Sequence, residues 1–222
     1  MLSKSIFRML AKNDLSELSD RKSCLQYKKG QTLFSAGTRP NGIYCLSKGK
    51  IKIFKTGAYG KEQIIRFALP GEFIGLRSLI SDKNYTSNAD PIEESTVCFI
   101  SRQDFQQMQH KYPQITVAII TSLSEKLEEA NNKVTSLAQK PVRERLAETL
   151  VALNNVFKPE NDREDSLSVV TLSRLDLANL VGTATETIIR LLSEFKSDSL
   201  ISIKGRKITI LDIAGLVRIA NH

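Results

Sequence analysis

The segment Thr183-Ala-Thr-Glu-Thr-Ile-Ile-Arg-Leu-Leu-Ser-Glu-Phe195 places hydroxyls, a carboxylate and a guanidinium within two helical turns of one another. A guanidinium can take guanine O6 and N7 together and a carboxylate can accept from cytosine N4, so the chemistry on offer is the reading of base edges. Thr183 and Glu186 stand three apart, the spacing of a capping box, which predicts a helix that begins here. Ile188, Leu191, Leu192 and Phe195 recur at helical spacing as its buried stripe. Thr185, Glu186, Ile189 and Arg190 are left facing outward at the N-terminal end.

That helix needs a support. Upstream, Ser173 can cap a shorter helix carrying Leu175, Leu177, Ala178, Leu180 and Val181, and Gly182 supplies the positive-φ residue that ends it. Two helices across a tight turn make either an ordinary αα-corner or a helix-turn-helix, in which the first helix braces the second against the major groove. Leu200 to Ile203 and Ile208 to Ile210 read as short strands around Lys204-Gly-Arg-Lys207. A hairpin directly after the second helix is a wing, and its basic tip, Lys204, Arg206 and Lys207, stands where it could touch phosphate.

Bulk charge is a poorer guide. The 222-residue chain has a formal net charge of +8 and a pI near 9.4. From Pro141 onward, however, eleven basic residues balance eleven acidic ones, so the whole excess lies in the first 140 residues. Placement sets the field: Glu160, Asp162, Glu164 and Asp165 cluster in one polar loop, while Arg174, Arg190 and the three basic residues of the hairpin gather around the proposed reading unit. With 41% hydrophobic and 25% charged residues the chain is of ordinary globular composition. No run approaches a membrane span and Met1 to Leu10 lacks a signal-peptide core, which predicts a cytoplasmic protein without membrane contact. Cys24, Cys45 and Cys98 are widely spaced, so neither a disulfide staple nor a metal cluster is expected, and no cofactor. His110 and His222 lack a nearby ligand partner and read as solvated. Nor does the sequence show a carboxylate pair, a nucleophile-base set or a phosphate-cradling glycine loop, which argues against an enzyme.

Three stretches organise the remainder. From about Leu25 to Met108, short β-branched or aromatic runs alternate with glycines, a rhythm of antiparallel strands closed as a barrel or jelly roll. A long helix from about Pro113 to Gln139 follows. In it Ile120, Leu123, Leu127, Ala130, Val134 and Leu137 step by three and four, a narrow seam suited to a partner helix, while Ile115, Ala118 and Ile119 widen the apolar face of the first turns toward the barrel. Lys140-Pro141 breaks the helix at a hinge, and Val142 to Phe157 forms the next one.

This order resembles the Crp/Fnr transcription regulators over nearly the whole chain. The residues that carry the resemblance are Leu46-Ser-Lys-Gly49 with Ile51, Pro70-Gly-Glu-Phe-Ile-Gly75, and Leu180-Val-Gly-Thr-Ala-Thr-Glu-Thr-Ile-Ile-Arg190. It implies an α+β protein with a cyclic-nucleotide-binding-like sensor β-barrel and flanking helices in residues 1–111. A long dimerisation helix and hinge would occupy 112–140, and a winged helix-turn-helix 141–222. It further implies a homodimer on a pseudo-palindromic double-stranded DNA operator, contact with RNA polymerase, and an effector whose identity is open. By the same resemblance Glu186 and Arg190 read bases, flanked by Thr183 and Thr185. Ser173 and Arg174 contact phosphate, and the seam of the long helix is the dimer interface. Cyclic-AMP-responsive members carry an arginine where Thr185 stands, so their operator is not implied.

The barrel departs further. Nucleotide-binding members pair a Gly-Glu, here Gly71 and Glu72, with an Arg-Ser or Arg-Thr about a dozen residues later, where this chain has Tyr85 and Thr86. Without a forked cationic donor a cyclic phosphate loses its strongest hydrogen bonds. Arg77 or Lys83 could substitute, giving a cyclic-nucleotide regulator with a non-standard phosphate site, or Gly71-Glu72 could be a turn kept for the fold. An iron-sulfur mode needs clustered N-terminal cysteines, and only Cys24 lies there. A barrel sensor or scaffold whose helix-turn-helix makes protein contacts is the remaining rival.

Overall fold

The computed structural model describes residues 23–157 and 169–221. The acidic loop from Glu160 to Asp165, the segment Met1 to Leu10 and His222 lie outside the described residues. In chain order come β1 (Ser23–Tyr27), β2 (Gly42–Lys48), β3 (Ile51–Thr56), β4 (Glu62–Ala68), β5 (Phe73–Ile74), α1 (Leu76–Ile80), β6 (Asn88–Pro91) and β7 (Ser95–Ser101). The helices α2 (Arg102–Lys111), α3 (Pro113–Gln139) and α4 (Val142–Phe157) follow. The last elements are β8 (Val169–Thr171), α5 (Arg174–Val181), α6 (Thr185–Ser197), β9 (Ile201–Lys204), β10 (Lys207–Ile210) and α7 (Ile213–Ala220). The chain forms two compact units, divided within α3 between Glu128 and Glu129.

In the first unit the strands form two antiparallel sheets, ordered β1-β7-β2-β5 and β4-β3-β6. Alternation along each strand gives the larger sheet two apolar faces. Leu46 and Val97 point between the sheets, where they meet Ile51, Ile53 and Ala89. Ile43 and Ile100 point the other way, onto Phe105 and Met108 of α2 and Ile115 and Ile119 of α3. Burial of one such side chain contributes about 1.5–3 kcal/mol, so the start of the long helix is firmly seated. Ser101 caps α2 by accepting from the Asp104 N–H at 3.1 Å.

Cys24 and Cys98 are joined in a disulfide, with Cα atoms 3.9 Å apart, contrary to the expectation from spacing. The two lie 74 residues apart in sequence, but β1 and β7 are neighbours and their register sets Cys24 directly opposite Cys98. Strand pairing, invisible to sequence spacing, brings them together.

In the second unit α3 stops at Gln139 and α4 starts at Val142, so the break falls at Pro141 as its ring dictates. Leu146, Ala147, Leu150 and Leu153 form the buried face of α4. The hairpin β9–β10 gains a third strand, β8, in the order β8-β10-β9. Neither β8 nor α7 is foreseen from the sequence, although Val169-Val-Thr171 is β-branched throughout and Asp212 caps α7 through the Gly215 N–H at 2.8 Å. Among the described residues, no helix is long and apolar enough to cross a membrane.

Candidate nucleic-acid interface and barrel interior

Helices α5 and α6 meet across a turn that Gly182 makes with φ 77°. The amides of Gly182 and Thr183 both donate to the Ala178 carbonyl, at 2.8 and 3.1 Å, closing the end of α5. This overturns the capping box: α6 starts at Thr185 with Ala184 as its N-cap, and no side chain caps it. The Thr183 amide is spent on ending the first helix, so the residue comes one position too early to cap the second. The stripe is as expected, with Ile188, Leu191, Leu192 and Phe195 all buried. Leu175 is not part of the core of α5: it is 60% exposed, on the side away from Leu177 and Ala178.

Glu186, Ile189 and Arg190 are exposed on α6, and Thr185 is half-buried at its first turn. Arg190 reaches along the helix to Glu194, 2.5 Å away, instead of back to Glu186. An exposed i,i+4 pair of this kind contributes about 0.3–0.5 kcal/mol, little enough for a base edge to displace it. Lys204, Arg206 and Lys207 are exposed around the Gly205 turn of the wing, where Gly205 has φ 60°.

Ser173 and Arg174, expected at phosphate, are committed within the protein. The Ser173 hydroxyl accepts from the Asp176 N–H at 2.9 Å and donates to the Asp176 carboxylate at 2.6 Å. Arg174 donates from Nη2 to the Gly205 carbonyl at 3.1 Å, and its Nη1 is buried with no hydrogen-bond partner among the described residues. Burial lowers the pKa of this guanidinium. Arg174 therefore ties α5 to the wing tip. Arg145 of α4 was not foreseen at all: it donates to the Leu137 and Lys140 carbonyls, each at 3.2 Å, and to Gly182 at 3.3 Å. One side chain thus binds the end of α3 to the helix-turn-helix turn. Its only sequence signal is an arginine four residues after the helix-breaking proline.

On α3, the expected seam separates into two sets. Leu123 packs on its own barrel, against the cluster that holds Ile115 and Ile119. Ile120, Leu127 and Val134 are 59%, 62% and 66% exposed, Ala130 and Leu137 are exposed as well, and Val117 joins the exposed set. Apolar side chains at this heptad spacing are a row without cover among the described residues of the single chain.

Within the barrel, Tyr85 is buried and its ring stacks on Phe34 at a centroid distance of 3.8 Å. Desolvation, with a smaller contribution from Tyr44, raises its pKa above the usual phenol range. Gly75 makes room for it: with φ 86°, a Cβ there would come within 2.9 Å of the Tyr85 ring. Thr86 points outward and is bonded by the exposed Arg77. Glu72 is held on both oxygens, by Arg66 at 2.8 Å, by Lys126 of α3 at 3.2 Å and by the Leu69 N–H at 3.2 Å. The Gly71 N–H donates to the Leu46 carbonyl at 2.8 Å. The expected pocket residues are therefore not one cluster: Tyr85 fills the interior, Arg77 and Thr86 pair at the surface, Glu72 sits in an ionic knot with Arg66 and Lys126, and Gly71 is bonded to Leu46. Neither Arg66 nor Lys126 was legible as a partner, since both are single cations in amphipathic elements.

The chain matches a family profile described as a cyclic nucleotide-binding domain over residues 24–112, and one described as a Crp-like helix-turn-helix domain over 144–219. It is 33% identical over 210 residues to the fumarate and nitrate reduction regulatory protein of Vibrio cholerae, covering 94% of this chain and 82% of that protein. The corresponding protein of Escherichia coli K12 is 31% identical over 212 residues, covering 95% and 82%. Among solved structures, the c-di-GMP responsive global regulator CLP of Xanthomonas campestris aligns with a TM-score of 0.78 at 23% identity, covering 90% of this chain and 99% of that one. FixK2 of Bradyrhizobium japonicum aligns with the same score at 21% identity, covering 89% and 96%.

Proposed function

Because this chain belongs to the Crp/Fnr family of DNA-binding transcription regulators, we propose that it works as a cytoplasmic homodimer reading a pseudo-palindromic operator with Glu186 and Arg190 of α6. The observation that carries this reading is the exposure of both side chains near the start of a helix whose other face is fully buried, with a basic wing tip beside it. Residues 112–140 supply the dimer contact, 141–222 the DNA contact and 1–111 the sensing part. Arg174 serves by fixing the wing to α5, and Thr183, Thr185 and Ser173 flank the groove contact. Two recognition helices would enter successive major grooves about one helical turn apart, roughly 34 Å. RNA polymerase and an effector yet to be identified are its other partners.

Reading and gripping are expected to fail differently. Arg190→Ala should cost about 1–3 kcal/mol on the operator selected from random DNA and much less on random sequence, flattening one symmetric position in each half-site. Glu186→Ala should relax a neighbouring position. Lys204→Ala or Arg206→Ala should weaken all sequences about equally and reduce the salt slope by about one. If the operator selected by Arg190→Ala is unchanged, Arg190 is only the partner of Glu194 and leaves the reading set.

Cyclic AMP is not the effector in this reading, because Tyr85 occupies the barrel interior and Glu72 already has cationic partners. Millimolar cyclic AMP is expected to leave both the thermal midpoint and operator affinity unchanged, since a ligand shifts stability only by binding the native state. Micromolar binding by calorimetry would reverse this and direct attention to Arg77 or Lys83.

A further inference from the structure

The three cysteines lie in one row across the larger sheet. Cys24 of β1 pairs with Cys98 of β7, and Cys98 pairs on its other side with Cys45 of β2. Residues directly opposite in antiparallel strands project to the same face, so all three sulfurs share one side of the sheet, with Cys98 in the middle. Cys24 is exposed on the edge strand, Cys98 is buried, and Cys45 packs against the cluster under α3 that also receives Leu123. The Cys24–Cys98 bond spans the β1–β7 half of the row, and Cys45 stands on the other side of Cys98, on β2.

We propose that this row is a thiol–disulfide exchange site, in which Cys45 takes over Cys98 from Cys24. Exchange requires the attacking thiolate, the central sulfur and the departing sulfur to lie in line, and the register supplies that order. The Cys45 thiolate forms a bond to Cys98 Sγ, the Cys24–Cys98 bond breaks, and Cys24 leaves as a thiolate. Cys45 loses a proton and Cys24 gains one, so the step has no net oxidation. Directly opposite residues in the wider type of antiparallel pair are about 5.5 Å apart at Cα, within the Cα span of a disulfide, so the new bond needs only a small local approach of β2 and β7. A dithiol reductant then converts the remaining disulfide to two thiols and is itself oxidised. The exchange moves a covalent link from an exposed edge strand to the strand beneath the seated part of α3. It thereby gives the sensing unit a chemical input that needs no ligand in the barrel.

The test is disulfide mapping by peptide mass spectrometry on the full chain, with iodoacetamide as the thiol probe. In the unreduced wild type, alkylation of Cys24 and recovery of a Cys45–Cys98 peptide are expected. Their rate should rise about tenfold per pH unit until the Cys45 thiolate is formed, since the thiolate is the attacking species. Cys45→Ser should retain the Cys24–Cys98 bond and abolish Cys24 alkylation. Cys24→Ser, treated with oxidised glutathione, should yield the Cys45–Cys98 peptide, and both variants are checked for wild-type circular dichroism. A wild type in which only Cys45 is ever alkylated, or a folded Cys24→Ser that never links Cys45 to Cys98, would overturn the proposal. The chemistry is read without DNA. Exchange in a chain that binds no operator would sink the regulator reading alone, and a fixed Cys24–Cys98 bond in a chain that binds its operator would sink this one alone.

Discussion

Leu127→Asp combined with Val134→Asp is expected to separate the homodimer, raising its dissociation constant by at least about a thousand-fold. A buried charge left without a partner costs about 3–5 kcal/mol, and about 4 kcal/mol corresponds to three orders of magnitude in affinity. In the proposed symmetric seam each chain would contribute both positions, so four such charges would be buried in one dimer. The fold of the single chain should survive, because both side chains are more than 60% exposed there and surface substitutions usually stay within about 0.5 kcal/mol. Sedimentation should find monomers at micromolar concentration, with operator binding lost in parallel. Leu123→Ala provides the contrast: Leu123 packs on the barrel cluster, so it should lower stability more than dimer affinity. A double variant that still sediments as a dimer would place the interface elsewhere.

Tyr85→Ala is expected to destabilise the first unit by about 3–5 kcal/mol, the usual cost of truncating a large buried aromatic. The ring lies between Phe34 and the backbone of Gly75, and its removal leaves a cavity between the two sheets. Tyr85→Phe keeps the stack and should cost less than about 1.5 kcal/mol. Gly75→Ala tests the same fit from the other side, since a methyl group would meet the ring and the residue holds φ at 86°. Urea unfolding followed through tyrosine fluorescence and circular dichroism would rank the three. A Tyr85→Ala loss below about 1 kcal/mol would mean that the interior collapses around the gap and that Tyr85 is no plug.

What the sequence determined by itself is local in cause. The stripe of α6 follows from side chains three and four apart, the turn at Gly182 from a backbone angle that glycine adopts freely, and the end of α3 from the ring of Pro141. Each depends on neighbours within about one helical turn, and the order of the elements together with the motifs at Leu46 to Gly49, Pro70 to Gly75 and Leu180 to Arg190 carries the resemblance to the family. The tertiary structure alone decided whatever depends on which distant residues meet. It joined Cys24 to Cys98 by setting β1 beside β7, and it turned Tyr85 inward and Thr86 outward. It also gave Glu72 to Arg66 and Lys126, and Arg174 to the wing turn. The capping box failed for a local reason instead, because ending α5 used the Thr183 amide before α6 began. On α3, Leu123 and Leu127 are alike by spacing and differ only in that the barrel covers one of them. Periodicity fixes which face of a helix is apolar, and only the packed neighbours decide what that face is for.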